Sequence, residues 1–383
     1  MNRAEALEEE AKYLAAGWEL TQKHSDANLI VVRGCSVTSH AQRDCEKLIE
    51  HLKQKYPNTR VLIQGCLTER TLTPSFIRGL PADPDEVPVP TRTARAYLKV
   101  QDGCGGRCSF CIVPKFRGAS VSVVPEKVLD KAKRFIDAGY HEIVVTGCNL
   151  SLYASQGKRL PELLDDLAAL SADCRIRLGS LEPSACALDV VNVVAARANI
   201  CKFLHVPVQS GSNGILAAMM RPYTVRDVEA IVGTAFKLMP EVGLGCDIIT
   251  GFPGEGEIDF LATKGLLKRL PFSNAHIFPF SERPGTRAAD LGGKIAREIR
   301  SARAHQLADI VSVKRKQFAK KFVGREVEVV IENEKTVSGW TSPYLWFEAE
   351  TASVPASLGL KRKQRVRFRV TETHHDTLKG VPV

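Results

Sequence analysis

The stretch QDGCGGRCSFCIVPKFRG, residues 101–118, places Cys104, Cys108 and Cys111 in a C-x3-C-x2-C spacing just behind an apolar alternation at residues 97–100. Three thiolates this close on one loop can hold three irons of a 4Fe–4S cube and leave the fourth iron open to another ligand. Gly103, Gly105 and Gly106 relax the backbone enough to aim the sulfurs at one point. A structural zinc site needs four ligands, usually as two separated pairs, and the chain has no second C-x2-C. Three unrelated core thiols are the plain alternative, and their clustering argues against it.

Working outward, strand patterns at residues 97–101, 142–146, 175–178, 203–206, 245–250 and 274–278 alternate with helical ones. Six such units predict an open (β/α)6 barrel with its chemistry at the strand C-terminal ends. Upstream, residues 4–16 read as an amphipathic helix, 28–33 as a strand, 39–55 as a helix and 60–64 as a strand. That alternation predicts a parallel α/β sheet, with Cys35 and Cys66 just past its strand ends. Residues 81–93 (PADPDEVPVPTRT) carry four prolines and read as a linker. Residues 294–325 are helical in pattern, with ten basic residues against two acidic. Past Gly324 come short alternating strands, EVEVVIE, SGWTSPYLWFEAE and RVRFRVTE, the signature of a small antiparallel β-barrel of OB type. The expected domains are 1–80 (α/β), 81–93 (linker), 94–321 (partial barrel) and 322–383 (small barrel).

The composition, 44% hydrophobic and 25% charged over 383 residues, is that of a globular protein and excludes disordered, collagen-like and disulfide-scaffold classes. The first twenty residues lack an apolar signal core, and no run reaches the ~18 apolar residues of a membrane span, so a cytoplasmic protein is expected. A net charge of +10 invites a polyanionic partner. Eleven cysteines without a secretory signal favour ligation over disulfides. Cys45, Cys148, Cys174, Cys186, Cys201 and Cys246 lack ligand spacing and read as small hydrophobes. His205 and His276 read as core or rim polar groups. Asp247 and the GFPGE turn at 251–255 read as architecture.

Seven segments, taken in order, carry a resemblance across nearly the whole chain. They are GCSVTSHAQRDCEK (34–47), residues 101–118, EIVVTGCNLSLY (142–153), RIRLGSLEPS (175–184), HVPVQSGSNGILAAMMRPYT (205–224), CDIITGFPGE (246–255) and AHIFPFSERPGTRAADL (275–291). Together they resemble the radical S-adenosylmethionine (SAM) methylthiotransferases. Ser36-Val37-Thr38 after Cys35 is similar to the branch acting on threonylcarbamoyladenosine in tRNA, more than to those acting on isopentenyladenosine or on a ribosomal protein.

The resemblance implies that a 4Fe–4S cluster on Cys104, Cys108 and Cys111 binds SAM and generates a 5′-deoxyadenosyl radical that takes hydrogen from C2 of the adenosine. It puts Phe110 against the SAM adenine and Thr146-Gly147 at the SAM amino group. Ser180, Glu182, Gln209 and Ser210 fall at the rim for SAM and substrate. It further implies a second 4Fe–4S cluster on three N-terminal cysteines, of which Cys35 and Cys66 match two. The third belongs to an opening strand ending in G-C-x-x-N, and the start Met1-Asn2-Arg3-Ala4 corresponds to that asparagine and the helix behind it. The expectation is that this strand and its cysteine lie before Met1. The alternative is a second cluster short of one ligand, which puts methylthiolation by this chain in doubt.

Residues 322–383 resemble the family's TRAM RNA-binding barrel, which implies a tRNA anticodon stem-loop as partner. The basic helix and KRKQRVRFR at 361–369 then track phosphates. Trp340, Tyr344, Trp346 and Phe347 are candidates to stack on bases, unless they form the small domain's core. An electron donor such as flavodoxin or ferredoxin is implied, the sulfur donor is unspecified, and a monomer is expected. The competing functions are methylthiolation in the other two branches, or a tRNA-binding protein that performs no methylthiolation.

Overall fold

A computed structural model describes residues 2–34, 39–65, 89–90, 92–184, 186–350, 354 and 359–383. In the N-terminal part a helix, Asn2–Ala15, precedes strand Leu29–Gly34, helix Ser39–Lys55 and strand Arg60–Gly65. The two strands pair in parallel from Leu29 opposite Arg60 to Gly34 opposite Gly65. Val32, Ile49 and Leu52 bury their side chains between this sheet and the second helix. Cys35, Cys66 and most of the expected linker lie outside the described residues.

Six parallel strands follow: Ala96–Lys99, Glu142–Thr146, Arg175–Leu178, Phe203–Gln209, Gly243–Thr250 and Asn274–Pro279. They form two three-stranded sheets, joined where the Leu181 N–H donates to the His205 carbonyl at 2.8 Å. Side chains alternate across such strands. Leu204, Val206 and Val208 accordingly join the large apolar core under the surrounding helices, while His205 and Gln209 take the opposite face. Patterning alone ends the fourth strand at Val206, because Pro207 follows. The strand instead runs on to Gln209, and the proline's missing donor falls where the register shifts between Pro207 and Gln209.

The C-terminal strands Glu326–Asn333, Ser338–Thr341, Trp346–Ala349, Arg365–His374 and Thr377–Pro382 close into a barrel around Val329, Phe347, Phe368 and Leu378. One pair departs from the antiparallel expectation: Trp346–Ala349 and Thr377–Pro382 run parallel, because the last strand closes the cylinder.

This small barrel is seated on the N-terminal ends of the six strands, and a buried ionic plug joins the two. The fully buried Glu142 carboxylate accepts from Arg175 Nε at 2.5 Å and Arg177 Nε at 2.7 Å. Their remaining donors reach the Glu328, Trp340, Thr341 and Ser342 carbonyls at 2.5–3.1 Å. Burial alone would raise the Glu142 pKa, but the facing arginines carry it far below the carboxylate range. Gly243 is glycine because a Cβ there would lie 2.1 Å from the Pro343 carbonyl oxygen.

The aromatic expectation needs correction at this interface. Tyr344 stacks on Trp340 at 4.3 Å and packs against Phe203 at 4.6 Å, with Arg177 over its ring. Trp340 and Tyr344 are therefore spent on domain docking, and Phe347 is fully buried in the small barrel's core. Trp346, half-exposed like Trp340 and Tyr344, packs edge-on against Trp340 at 5.1 Å.

Candidate functional site

The cysteine loop leaves the first barrel strand and is held from several sides. Gly103 has φ 70° (left-handed), and a Cβ on it would meet the Ala119 carbonyl oxygen at 1.8 Å. The Gly106 N–H donates to Cys104 Sγ at 3.4 Å, and a Cβ there would sit 3.2 Å from that sulfur and 3.8 Å from Cys108 Sγ. Contact requires the glycine at 103, a side chain at Gly106 would crowd the Cys104 sulfur, and a Cβ on Gly105 would meet nothing. The Ser109 N–H and hydroxyl donate to the Met219 and Ala218 carbonyls at 3.0 and 2.8 Å, tying the loop to the fourth unit.

Arg221 is the group that sequence reasoning did not single out. Its guanidinium donates to Cys108 Sγ at 2.7 Å, pairs with the Glu182 carboxylate, and reaches the Tyr223 hydroxyl at 2.8 Å. A buried arginine aimed at a sulfur suits a thiolate, since only the charged form gains from it. Burial still dominates these thiols: it raises Cys108 despite Arg221 and pushes Cys111 up to about 11. Burial likewise raises Glu182 against the pull of Arg221. Nothing in the MMRPYT stretch marks this pairing, which spans 113 residues.

A second overlooked residue is Gln101. Fully buried, it donates to the Gly103 carbonyl at 2.7 Å and Ser120 Oγ at 2.8 Å, and accepts from the Asn149 N–H at 2.9 Å. Its side chain presses on Gly147, where a Cβ would come within 2.8 Å of Gln101 Oε1. The second strand's end, with Thr146 and Gly147, is thereby fastened to the cysteine loop.

The remaining expected site residues are distributed as follows. Phe110 packs half-buried against Ile215, Met219, Phe252, Phe280 and Ala288. Ser180 is exposed at the third strand's end, and Gln209 ends the fourth at φ 66°. Ser210 is fully buried, its hydroxyl 3.4 Å from Thr263 Oγ1 and accepting from the Ser212 N–H, so its partners lie within the fold. The GFPGE turn is architecture: Glu255 accepts from the Gly251 N–H and from buried Arg303. Cys174, Cys186, Cys201 and Cys246 are buried.

Upstream, Glu5 of the first helix gathers three cations. It pairs with Arg33, two residues before Cys35, at 2.9 Å, with Arg117, six after Cys111, at 2.7 Å, and with Lys99 at 3.3 Å. The strand end that leads to Cys35 is so linked to the far side of the cysteine loop.

A three-thiol loop at a strand C-terminal end of a six-stranded parallel barrel defines a class, and comparison with known proteins agrees. Residues 98–267 match the radical SAM superfamily, and residues 1–76 match the uncharacterized protein family UPF0004. The chain carries both domains, and the cofactors that go with the radical SAM domain are a 4Fe–4S cluster and SAM. It is 28% identical over 379 residues to the threonylcarbamoyladenosine tRNA methylthiotransferase MtaB of Bacillus subtilis (strain 168), covering 86% of this chain and 84% of that protein. It is 29% identical over 413 residues to the tRNA-2-methylthio-N(6)-dimethylallyladenosine synthase of Aquifex aeolicus (strain VF5), covering 95% and 92%. The solved structure of TsrM from Kitasatospora setae, a radical SAM methyltransferase, aligns at 17% identity and TM-score 0.44 over 51% of this chain and 38% of that one. Among the described residues no helix is long and apolar enough to cross a membrane.

Proposed function

We propose that this protein is a tRNA-modifying enzyme that adds a methylthio group to C2 of N6-threonylcarbamoyladenosine beside the anticodon, using two 4Fe–4S clusters and SAM. The observation that carries the reading is the cysteine loop itself, three thiols folded around Gly106 with a buried arginine on one sulfur. That donor set fits the cluster, because thiolates need compensating positive charge once removed from water.

When bound there, the cluster and SAM supply the radical that activates a C–H bond with no acid–base route. The chain's own part is to bind, orient and exclude water. Cys104, Cys108 and Cys111 hold the metal; Arg221 neutralises Cys108 and orients Glu182; Phe110 offers an apolar ring face continuous with Phe252 and Phe280. Cys35 and Cys66 serve the auxiliary cluster in this reading. Thr146, Gly147, Glu182, Gln209 and Ser180 form the rim toward SAM and substrate, and exposed lysines and arginines track the tRNA backbone.

The test is mass spectrometry of tRNA nucleosides from a deletion strain and from the same strain carrying the gene on a plasmid. Loss and plasmid rescue of 2-methylthio-threonylcarbamoyladenosine is the expected result. Loss of the methylthio-isopentenyl nucleoside instead would favour the second reading, to which the Aquifex dimethylallyladenosine synthase lends weight. If neither nucleoside changes, both tRNA-methylthiolation readings fail, and methylthiolation of a ribosomal protein or a tRNA-binding role takes their place.

A further inference from the structure

The cysteine-loop chemistry does not use one cluster inside the barrel. His205, Asp247 and His276 stand on the last three strands, one on each. Asp247 and His276 are register partners, and Asp247 lies opposite Pro207, two residues beyond His205. Alternation along each strand turns all three away from the helix-covered side, where Cys246, Ala275 and Val206 go. Asp247 Oδ1 lies 3.1 Å from His205 Nε2 and 3.1 Å from His276 Nδ1, and the three ligand atoms fall within 4.8 Å of one another.

The two 3.1 Å separations match those of neighbouring ligands around one ion. Bonds of about 2.0–2.1 Å at tetrahedral or octahedral angles place neighbouring donor atoms roughly 3.0–3.4 Å apart. The neighbouring strand accommodates the geometry: a Cβ on Gly245 would sit 2.8 Å from His205 Nδ1, so the glycine leaves the imidazole its place. His205 is buried and Asp247 partly so, whereas the His276 side chain is 58% exposed and leaves an approach from solvent. Without a metal, each imidazole N–H can donate to the shared carboxylate oxygen. On binding an ion, a neutral ring moves that proton to its other nitrogen through water, an imidazolium gives it up to water, and two nitrogens and one oxygen then face the metal.

We propose that His205, Asp247 and His276 form a mononuclear site for a divalent transition metal of the zinc class. Two imidazoles with one carboxylate select such an ion over magnesium or calcium, which prefer all-oxygen shells. Three protein ligands leave at least one position for water or another oxygen donor inside the barrel, as in zinc sites that are not purely structural. The site stands apart from the substrate reading, and either can fail without the other.

The experiment uses the anaerobically reconstituted full-length protein, dialysed against buffered zinc with excess magnesium and analysed for zinc, iron and sulfide. Wild type should retain one zinc per chain beyond its full iron complement. His276→Ala and Asp247→Asn should bind zinc at least tenfold more weakly with iron and sulfide unchanged. His276 is exposed, so its variant keeps the test valid if Asp247→Asn fails to fold. Zinc-edge X-ray absorption on the wild type should show nitrogen and oxygen scatterers only. Any of four results overturns the site: no zinc retained, equal retention in the His276 variant, zinc bound only as iron is lost, or a sulfur shell around the zinc.

Discussion

At the residue scale, Arg221 concentrates the most function in the fewest atoms. Replacing it by methionine keeps the bulk but leaves Glu182 buried without its cation and Cys108 without its donor. Charge-assisted hydrogen bonds contribute roughly 1.5–3 kcal/mol, so 5′-deoxyadenosine formation should fall about tenfold to a hundredfold. An unchanged rate would mean the guanidinium is a bystander. Glu5 makes a pH-dependent contribution. Burial alone would raise its pKa, but Arg117, Lys99 and Arg33 hold it below 4.5. A depressed carboxylate stabilises fully above its unfolded value and loses that contribution as pH falls through the folded one. The urea midpoint of wild type should therefore lie above that of Glu5→Gln at neutral pH, and the two should converge as the pH falls through the carboxylate range.

At the scale of elements, the basic helix Arg297–Lys320 divides its charges between two tasks. Arg303 is buried on Glu255 at 2.6 Å, Arg300 donates to the Phe280 carbonyl at 2.5 Å, and Arg315 is paired with Asp376. Lys314 reaches the Leu267 and Lys268 carbonyls at 2.6 and 3.1 Å, where it caps the C-terminal end of the Glu257–Arg269 helix. The phosphate-tracking role expected for the whole helix contracts to exposed side chains such as Lys316, Lys320 and Lys321. Reversing these three to glutamate should weaken tRNA binding in fluorescence anisotropy. Its log–log salt dependence should flatten by roughly 0.7–0.9 for each phosphate that is no longer neutralised. Lys314→Met should lower thermal stability by about 1 kcal/mol and leave tRNA affinity intact.

The same element scale shows where the sequence was readable. Residues 39–55, 142–146 and 175–178 form the helix and strands that their periodicity indicates, because local patterning and tertiary packing agree there. The cysteine loop was legible for a related reason: its three sulfurs are local in sequence. Arg221, Gln101 and the grouping of His205 with Asp247 and His276 were not, since each depends on which strands become neighbours. Cys35 and Cys66, the positions expected to serve an auxiliary cluster, fall outside the described residues.

On the scale of the whole molecule, the Glu142 plug is the joint between the two barrels. Glu142→Gln would leave Arg175 and Arg177 buried opposite a neutral amide. Breaking a buried ion pair from one side costs about 3–5 kcal/mol. The melting temperature should fall, and limited trypsin digestion should cut between the Arg297–Lys320 helix and the strand starting at Glu326 faster than in wild type. Equal digestion would locate the docking energy elsewhere, in the Trp340–Tyr344–Phe203 stack.

That joint has a geometric consequence. The small barrel sits at one end of the strands and the cysteine loop follows the other, so strand length separates them. The longest barrel strand, Gly243–Thr250, has eight residues. At ~3.3 Å per residue the strands span at most about 26 Å between the two ends. In the tRNA reading proposed above, a polynucleotide gripped at the small barrel would present for reaction only a nucleotide that projects this far along the protein. On that reading, reach fixed by the strands would screen substrates before any base is touched.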